Sequence, residues 1–133
     1  MNRSLQLLGI AKKAGLLAVG GDAVGAASRA GKVWLVVLAS DASESALRRA
    51  RYDTGICRAE YVIAPFTKFE LGNVTGRGSP GMLAILDAGL SAGFMRGLAE
   101  SEPDRYGETA SLLEEQAKAV TDKKKPTRRR TAK

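Results

Sequence analysis

The sequence contains no histidine and a single cysteine, Cys57, among its 133 residues. The absence of imidazole excludes Ser-His-Asp and Cys-His catalysis and every zinc site that needs a histidine ligand. A lone thiol excludes an intramolecular disulfide and a zinc site built from cysteine alone. Without a histidine base, Cys57 is interpreted as a structural residue rather than a nucleophile. We therefore predict a protein that is not an enzyme and that needs no metal or other cofactor.

Long apolar runs are also missing, and aromatic residues make up only 5% of the chain. No segment approaches the roughly 20 apolar residues of a membrane helix, so no membrane partner is expected. Lys12 and Lys13 interrupt the first apolar segment too early for a secretory signal, which favours a cytoplasmic location. The aromatic residues do not alternate with basic ones along any predicted strand. This pattern argues against a stacking platform for single-stranded nucleic acid.

The formal net charge of +7 is unevenly distributed along the chain. Residues 1–98 carry +5, residues 99–122 carry −5 and residues 123–133 carry +7. We predict a mildly basic domain, an acidic connector with one amphipathic helix over 111–120, and a disordered tail. The tail is interpreted as a nonspecific RNA-binding arm, although a solvated charge run also explains it. Its basic residues in this role are Lys123, Lys124, Lys125, Arg128, Arg129 and Arg130. A further hypothesis is that the acidic connector folds back on the tail and competes with RNA.

Short strand-like and helix-like segments alternate along residues 1–98. The continuous apolar run at 33–39 predicts a strand covered on both faces, as in the centre of an α/β sheet. Helices are predicted at 4–14, at 23–30 with Asp22 as N-cap, from Ser40 onward, and at 88–98. Thr67 and Glu70 form a capping-box pattern that opens a short helix ending near Gly72. The alternation predicts a three-layer α/β/α sandwich.

Two glycine-rich turns lie beside basic residues. Glycine lets a backbone approach a bulky ligand closely, and the exposed amides of a helix start attract phosphate. Each turn can also be a plain connection, but in a basic domain the two together predict binding of a folded RNA. The residues are Gly20, Gly21 and Asp22 with Arg29 and Lys32 at the far end of the helix, and then Arg77, Gly78, Ser79, Pro80 and Gly81. The G-x-G-x-x-G match at 76–81 does not predict a dinucleotide site, because it follows a helix and enters a strand.

Several short stretches resemble, in order and spacing, the bacterial YlxQ-like branch of the kink-turn-binding ribosomal protein family, which includes the archaeal "L-seven-Ae" protein. They are LGIAKKAG at 8–15, GGDAV at 20–24, RAGK at 29–32, LASDASE at 38–44, FELG at 69–72 and AILDAG at 84–89. The resemblance covers residues 4–98. It implies an α/β/α sandwich with a small mixed four-stranded sheet. It also implies recognition of kink-turn RNA, a bent helix with tandem sheared G·A pairs.

The same resemblance implies where that RNA is bound. The first region is the glycine turn with the first turn of the second helix, and the second is the loop before the last strand, Arg77 to Gly81. In this chain the first region consists of Gly20, Gly21, Asp22, Ala23 and Ala26. The strongest binders of the family have Asn, Glu and Lys where this chain has Asp22, Ala23 and Ala26. Because alanine forms no side-chain hydrogen bond, we expect base-specific contacts to be weakened and RNA shape to matter more.

The leading prediction is a non-catalytic, monomeric RNA-binding protein of ribosomal-protein type, with ribosomal or messenger RNA and the ribosome as candidate partners. The alternative is a scaffold that has lost specific RNA recognition and binds a protein partner, which Ala23 and Ala26 would suit. A third interpretation, the recognition domain of an RNA methyltransferase, is disfavoured because residues 99–133 leave no room for a catalytic domain.

Overall fold

The structure is a computed structural model that describes the backbone of residues 2–131 and the side chains of residues 2–121. Helices and strands alternate along the chain, as the sequence predicts. The elements are α1 (Arg3–Lys13), β1 (Leu17–Val19), α2 (Gly21–Arg29), β2 (Leu35–Leu38), α3 (Glu44–Cys57), β3 (Glu60–Ile63), α4 (Lys68–Thr75), β4 (Met82–Ile85), α5 (Ala88–Ser101) and α6 (Pro103–Thr131).

The four strands form one mixed sheet in the order β1-β4-β2-β3. Strand β4 is antiparallel to both of its neighbours, and β2 pairs in parallel with β3. All four residues of β2 and all four of β4 are buried, because these central strands are covered on both faces. The prediction of an α/β fold with a small mixed four-stranded sheet is confirmed. In this topology β1, β2 and β3 end at the edge of the sheet where β4 begins.

Helices cover both faces of the sheet, which gives the predicted three layers. On one face, side chains of α1, α4, α5 and α6 share a core with Leu35 and Val37 of β2 and with Leu83 and Ile85 of β4. On the other face, Val24 and Ala27 of α2 and Ala50 of α3 pack with the alternate strand residues. This arrangement follows from the two-residue period of a strand, which sends successive side chains to opposite faces.

Helix α6 differs most from the sequence-based prediction. It begins at Pro103 rather than near residue 111, and Tyr106, Ala110 and Leu113 are buried in the same core as α1 and α5. The Tyr106 hydroxyl donates a hydrogen bond to the Ile63 carbonyl oxygen at 3.0 Å. Residues 103–113 are therefore part of the folded domain, whereas the sequence placed its end at residue 98. The acidic residues around them obscured a helical spacing of apolar side chains.

The C-terminal tail is only partly described. The sequence predicts disorder from residue 123, whereas the backbone of α6 continues as helix to Thr131. Residues 103–131 thus form one helix, in which the acidic and basic parts follow one another along the axis at a rise of about 1.5 Å per residue and do not fold back. The side chains of the six basic tail residues lie outside the described residues, and their predicted RNA contacts stay a prediction.

The start of α3 and the end of α4 also differ from the sequence-based prediction. Ser43, not Ser40, caps α3, and the Asp41 carboxylate instead accepts a hydrogen bond from the Lys68 amide at 2.9 Å. The predicted capping box of Thr67 and Glu70 is present, but α4 continues past Gly72 to Thr75. There Gly76 ends it in the left-handed conformation, with φ 72°.

Over the part of the chain that the structure describes, no helix is long and apolar enough to cross a membrane.

Candidate functional site

The glycine turn after β1 has a backbone conformation that favours glycine. Gly20 has φ 93° and ψ 159°, and its amide donates to the Met82 carbonyl oxygen at 3.0 Å, which fastens the turn to the start of β4. Val24 donates the first helical hydrogen bond of α2 to the Gly20 carbonyl oxygen. The amides of Gly21, Asp22 and Ala23 therefore have no acceptor within the helix and are directed outward.

Asp22 is not the N-cap that the sequence predicts. Gly20 occupies the N-cap position, and no side chain caps the helix. The Asp22 carboxylate lies in the first turn, where it interacts favourably with the helix dipole, and its side chain is fully exposed. The reason for the difference is that α2 begins two residues earlier than predicted, at Gly21. Ala23 and Ala26 are exposed as well, so they present methyl groups to solvent.

The loop before β4 reaches the same place as the glycine turn. Gly81 accepts a hydrogen bond from the Ala39 amide at 2.9 Å, which fixes the end of the loop at the end of β2. The loop also lies closely over α4, because a methyl group on Gly72 would overlap the Gly78 carbonyl oxygen. Gly21, Ser79 and Gly81 line one open groove of about 360 Å³. The structure thus brings part of the two predicted regions together at the edge of the sheet.

Two basic side chains of this groove were missed by sequence analysis. Arg49 of α3 and Lys68, the first residue of α4, line it together with Ser43, Ser45, Ala46 and Met82. The helix predicted from Ser40 onward contains Arg48, Arg49 and Arg51, and the sequence assigns none of them to a site. Which of them faces the groove depends on how α3 packs beside α2, and no local pattern encodes that. Arg48 is exposed but does not line the groove.

Arg49 is held loosely beside two carboxylates. Its Nη2 lies 3.9 Å from Asp22 Oδ1, and its Nε lies 3.8 Å from Asp53 Oδ2. Both distances exceed those of hydrogen bonds. The Asp53 side chain is only 4% exposed, and its Oδ2 has no hydrogen-bond partner among the described residues. The Arg49 side chain is 44% exposed, so its guanidinium can donate to a ligand in the groove.

The remaining predicted residues lie away from the groove lining. Arg29 ends α2, and Lys32 follows after the left-handed Gly31, so both stand at the opposite end of the helix from Gly20. The Arg29 guanidinium nevertheless turns back towards the middle of α2, where its Nη1 would lie 3.4 Å from a methyl group on Gly25. Arg77 and Gly78 are exposed on the outside of the second loop. Pro80 is partly buried within it.

Among the side chains that the structure describes, no group of three or more His, Cys, Asp or Glu residues could hold a metal ion. The groove contains hydroxyls, backbone amides and two cationic side chains. Such a set can bind an anion through charge-assisted hydrogen bonds.

Comparison with solved structures identifies the architecture. A protein with unknown function from Bacillus halodurans is 26% identical, with a TM-score of 0.66 over 74% of this chain and 98% of that one. A Giardia lamblia 15.5kD RNA binding protein is 18% identical, with a TM-score of 0.55 over 74% of this chain and 84% of that one. No protein-family model and no curated protein sequence matches the chain. The likeness to the Giardia protein shows a shared fold.

Proposed function

We propose that this chain is a non-catalytic RNA-binding protein that holds a structured RNA at the groove between the glycine turn and the second loop. The observation that carries this proposal is the convergence around one groove of Gly21 in the glycine turn with Ser79 and Gly81 in the second loop, which is distant in sequence. Arg49 and Lys68 line the same groove and supply positive charge. Phosphate contacts of this kind provide most of the affinity of proteins for nucleic acids.

The comparisons support an RNA ligand. A solved structure with the same fold carries the description RNA binding protein. Because one fold can support unrelated functions, that likeness alone decides nothing about this chain. The likeness supports an RNA ligand for this groove, whose hydroxyls, backbone amides and cationic side chains suit phosphate.

The RNA that we propose is a kink-turn or a similarly bent helix, as the family resemblance implies. Ala23 and Ala26 are exposed on α2 and offer no hydrogen-bonding group to a base edge. Recognition then depends on the shape of the bent backbone, which the glycine turn can approach closely, more than on base contacts. In this proposal the protein acts as a cytoplasmic monomer of ribosomal-protein type, with ribosomal or messenger RNA as its partner.

The proposal is tested by measuring the affinity of the full chain for three RNAs. These are a kink-turn RNA, a straight duplex of equal length, and the kink-turn RNA with its G·A pairs disrupted. We expect the first to bind most tightly, because only the bent backbone fits both turns. Equal affinity for all three would overturn recognition of a bent RNA. No RNA affinity at all would favour the alternative of a protein-binding scaffold.

A variant series locates the contact surface. Lys68→Ala removes one groove charge and is expected to weaken kink-turn binding by roughly threefold to tenfold, as for a lost phosphate contact. Lys12→Ala is the matched control, because Lys12 is exposed on α1 and does not line the groove. Arg77→Ala tests the second loop in the same way. Equal effects of Lys68→Ala and Lys12→Ala would show that only net charge matters.

A further inference from the structure

One side of α2 carries glycine where a helix normally carries a side chain. Gly21, Gly25 and Arg29 are spaced four residues apart, so they follow one another along the same side of the helix. A methyl group on Gly21 would lie 3.7 Å from Arg49 Nη1. One on Gly25 would lie 2.9 Å from Arg49 Nη2 and 3.4 Å from Arg29 Nη1. Two guanidinium groups, from two different helices, therefore meet above Gly25.

Gly25 lies in the interior of α2, where glycine is less favourable for a helix than alanine. Its backbone does not need glycine, since its φ is not among the positive ones. An alanine there would displace the Arg49 guanidinium, because 2.9 Å is too close for a methyl carbon and the Arg49 nitrogen, and the flexible arginine side chain can move aside at low cost. Gly55, inside α3, has no atom within 4 Å of the corresponding position. Glycine at 25 thus makes room for the Arg49 guanidinium.

The two arginines differ in how far their charges are compensated. Arg49 forms long salt bridges to Asp22 and Asp53, whereas Arg29 forms no salt bridge within the described part of the chain. Their repulsion is reduced most directly by an anion between them. Guanidinium groups present N–H donors in a planar fork that matches the oxygens of a phosphate group. Arg49 also lines the groove, so its side chain connects the groove with the arginine pair above Gly25.

We infer that Arg29 and Arg49 form a phosphate-binding pair above Gly25, which holds a phosphodiester group of the RNA bound at the groove. The inference rests on the proposed function for the source of the phosphate. It extends the contact surface from the glycine turn along α2 to the middle of the helix. It also assigns a binding role to Arg49, whose neighbour Arg48 does not line the groove.

The test uses Gly25→Ala in the full chain, with Gly55→Ala as the matched control. Both changes add one methyl group to a helix interior, and both are expected to keep or raise the thermal midpoint, because alanine favours the helix. Only Gly25→Ala displaces the Arg49 guanidinium. We expect it to weaken binding to the kink-turn RNA by about fivefold to tenfold, with Gly55→Ala unchanged. Arg49→Ala should weaken binding by about tenfold, and Arg48→Ala by much less.

A second probe separates this inference from the proposed function. Inorganic phosphate is titrated into the protein while the arginine Nε–H signals are followed by NMR, and signals of Arg29 and Arg49 are expected to shift together. If the RNA binds but Gly25→Ala and Arg49→Ala leave its affinity unchanged, the pair is not an RNA contact and the inference is overturned, while the proposed function stands. If inorganic phosphate shifts both signals but no RNA binds, the RNA assignment is overturned and a free anion is the ligand. Shifts together with weakened RNA binding of Gly25→Ala support the inference.

Discussion

Asp22 has two opposing effects at the start of α2. Its carboxylate interacts favourably with the positive end of the helix dipole. The same carboxylate lies 3.9 Å from Arg49 and is fully exposed beside the amides that would bind a phosphate. It therefore repels an anionic ligand and partly neutralises the arginine.

Replacing Asp22 by asparagine should strengthen RNA binding. The change removes the repulsion and adds an amide donor, so we expect the affinity for the kink-turn RNA to rise by roughly threefold to tenfold at low salt. The free energy of unfolding should fall only slightly as the dipole contact is lost, because water solvates the exposed carboxylate. Binding is measured by titration and stability by urea unfolding. Asp104→Asn, in the first turn of α6, is the control, and unchanged RNA affinity of Asp22→Asn would separate Asp22 from the RNA contact.

At the scale of elements, α6 is attached to the domain by a small number of buried groups. Tyr106 is 2% exposed and reaches the carbonyl of Ile63 at the end of β3, while Leu113 is fully buried. On the outer side, the Arg96 guanidinium of α5 donates two hydrogen bonds to Glu114, at 2.9 and 3.2 Å. A chain cut at residue 98 would expose this side of the core, so binding experiments require the helix.

Tyr106→Phe should lower stability and change its dependence on alkaline pH. Loss of the hydrogen bond to Ile63 is expected to cost about 1 kcal/mol at pH 7. Burial raises the pKa of Tyr106 above its usual value of about 10, with Glu102 adding to the rise and Arg105 opposing it. The unfolded chain then loses this proton first as pH rises. The stability tied to the neutral hydroxyl is complete below pH 10 and is lost as pH rises through the folded-state pKa.

The measurement is urea unfolding of wild type and Tyr106→Phe between pH 8 and 11. The difference in free energy of unfolding between the two proteins should shrink above pH 10. Tyr52→Phe serves as control, since the Tyr52 side chain is largely exposed. A difference that stays constant across this range would show that the buried hydroxyl titrates alike in both states.

At the scale of the whole molecule, the acidic segment lies in a different helical layer from α2 and α3. The acidic segment 99–122 belongs largely to α6, in the layer of α1, α4 and α5, whereas α2 and α3 cover the opposite face of the sheet. The acidic segment therefore does not lie beside Arg29 and Arg49, which belong to α2 and α3 on that opposite face. The +7 of residues 123–133 is a separate contribution at the end of the chain.

Changing the six basic tail residues to glutamine should separate affinity from selectivity. The affinity of an RNA-binding protein falls as salt rises. Each lost phosphate contact is expected to make the plot of log affinity against log salt less steep by about 0.7–0.9, so the substitutions weaken binding most at low salt. The preference for kinked over straight RNA should remain, because it depends on the groove. Affinities are measured for both RNAs at two salt concentrations. Loss of the preference together with the tail would assign recognition to the tail.

Much of the fold was predictable from local sequence, because local rules govern it. The apolar run at 33–39 contains the central strand β2, and the capping box of Thr67 and Glu70 opens α4 where predicted. Glycine at 20 and 76 has the positive φ that turns of this kind require. The predicted starts of α2 and α3 differ from the observed ones because Asp22 and Ser40 have side chains suited to N-capping. Only the hydrogen bonds of the folded chain decide which residue caps the helix.

The sequence by itself determined the α/β class, the absence of histidine chemistry and the glycine turns, since composition and short-range periodicity carry that information. Only the tertiary structure decided which basic side chains meet those turns. Arg49 and Lys68 come to the groove because α3 and α4 begin near the same edge of the sheet, after β2 and β3 end. Whether α6 belongs to the domain was decided in the same way. Among the described residues of α6, Tyr106, Ala110 and Leu113 are buried by packing against α5, α1 and the sheet, and no local pattern encodes that packing.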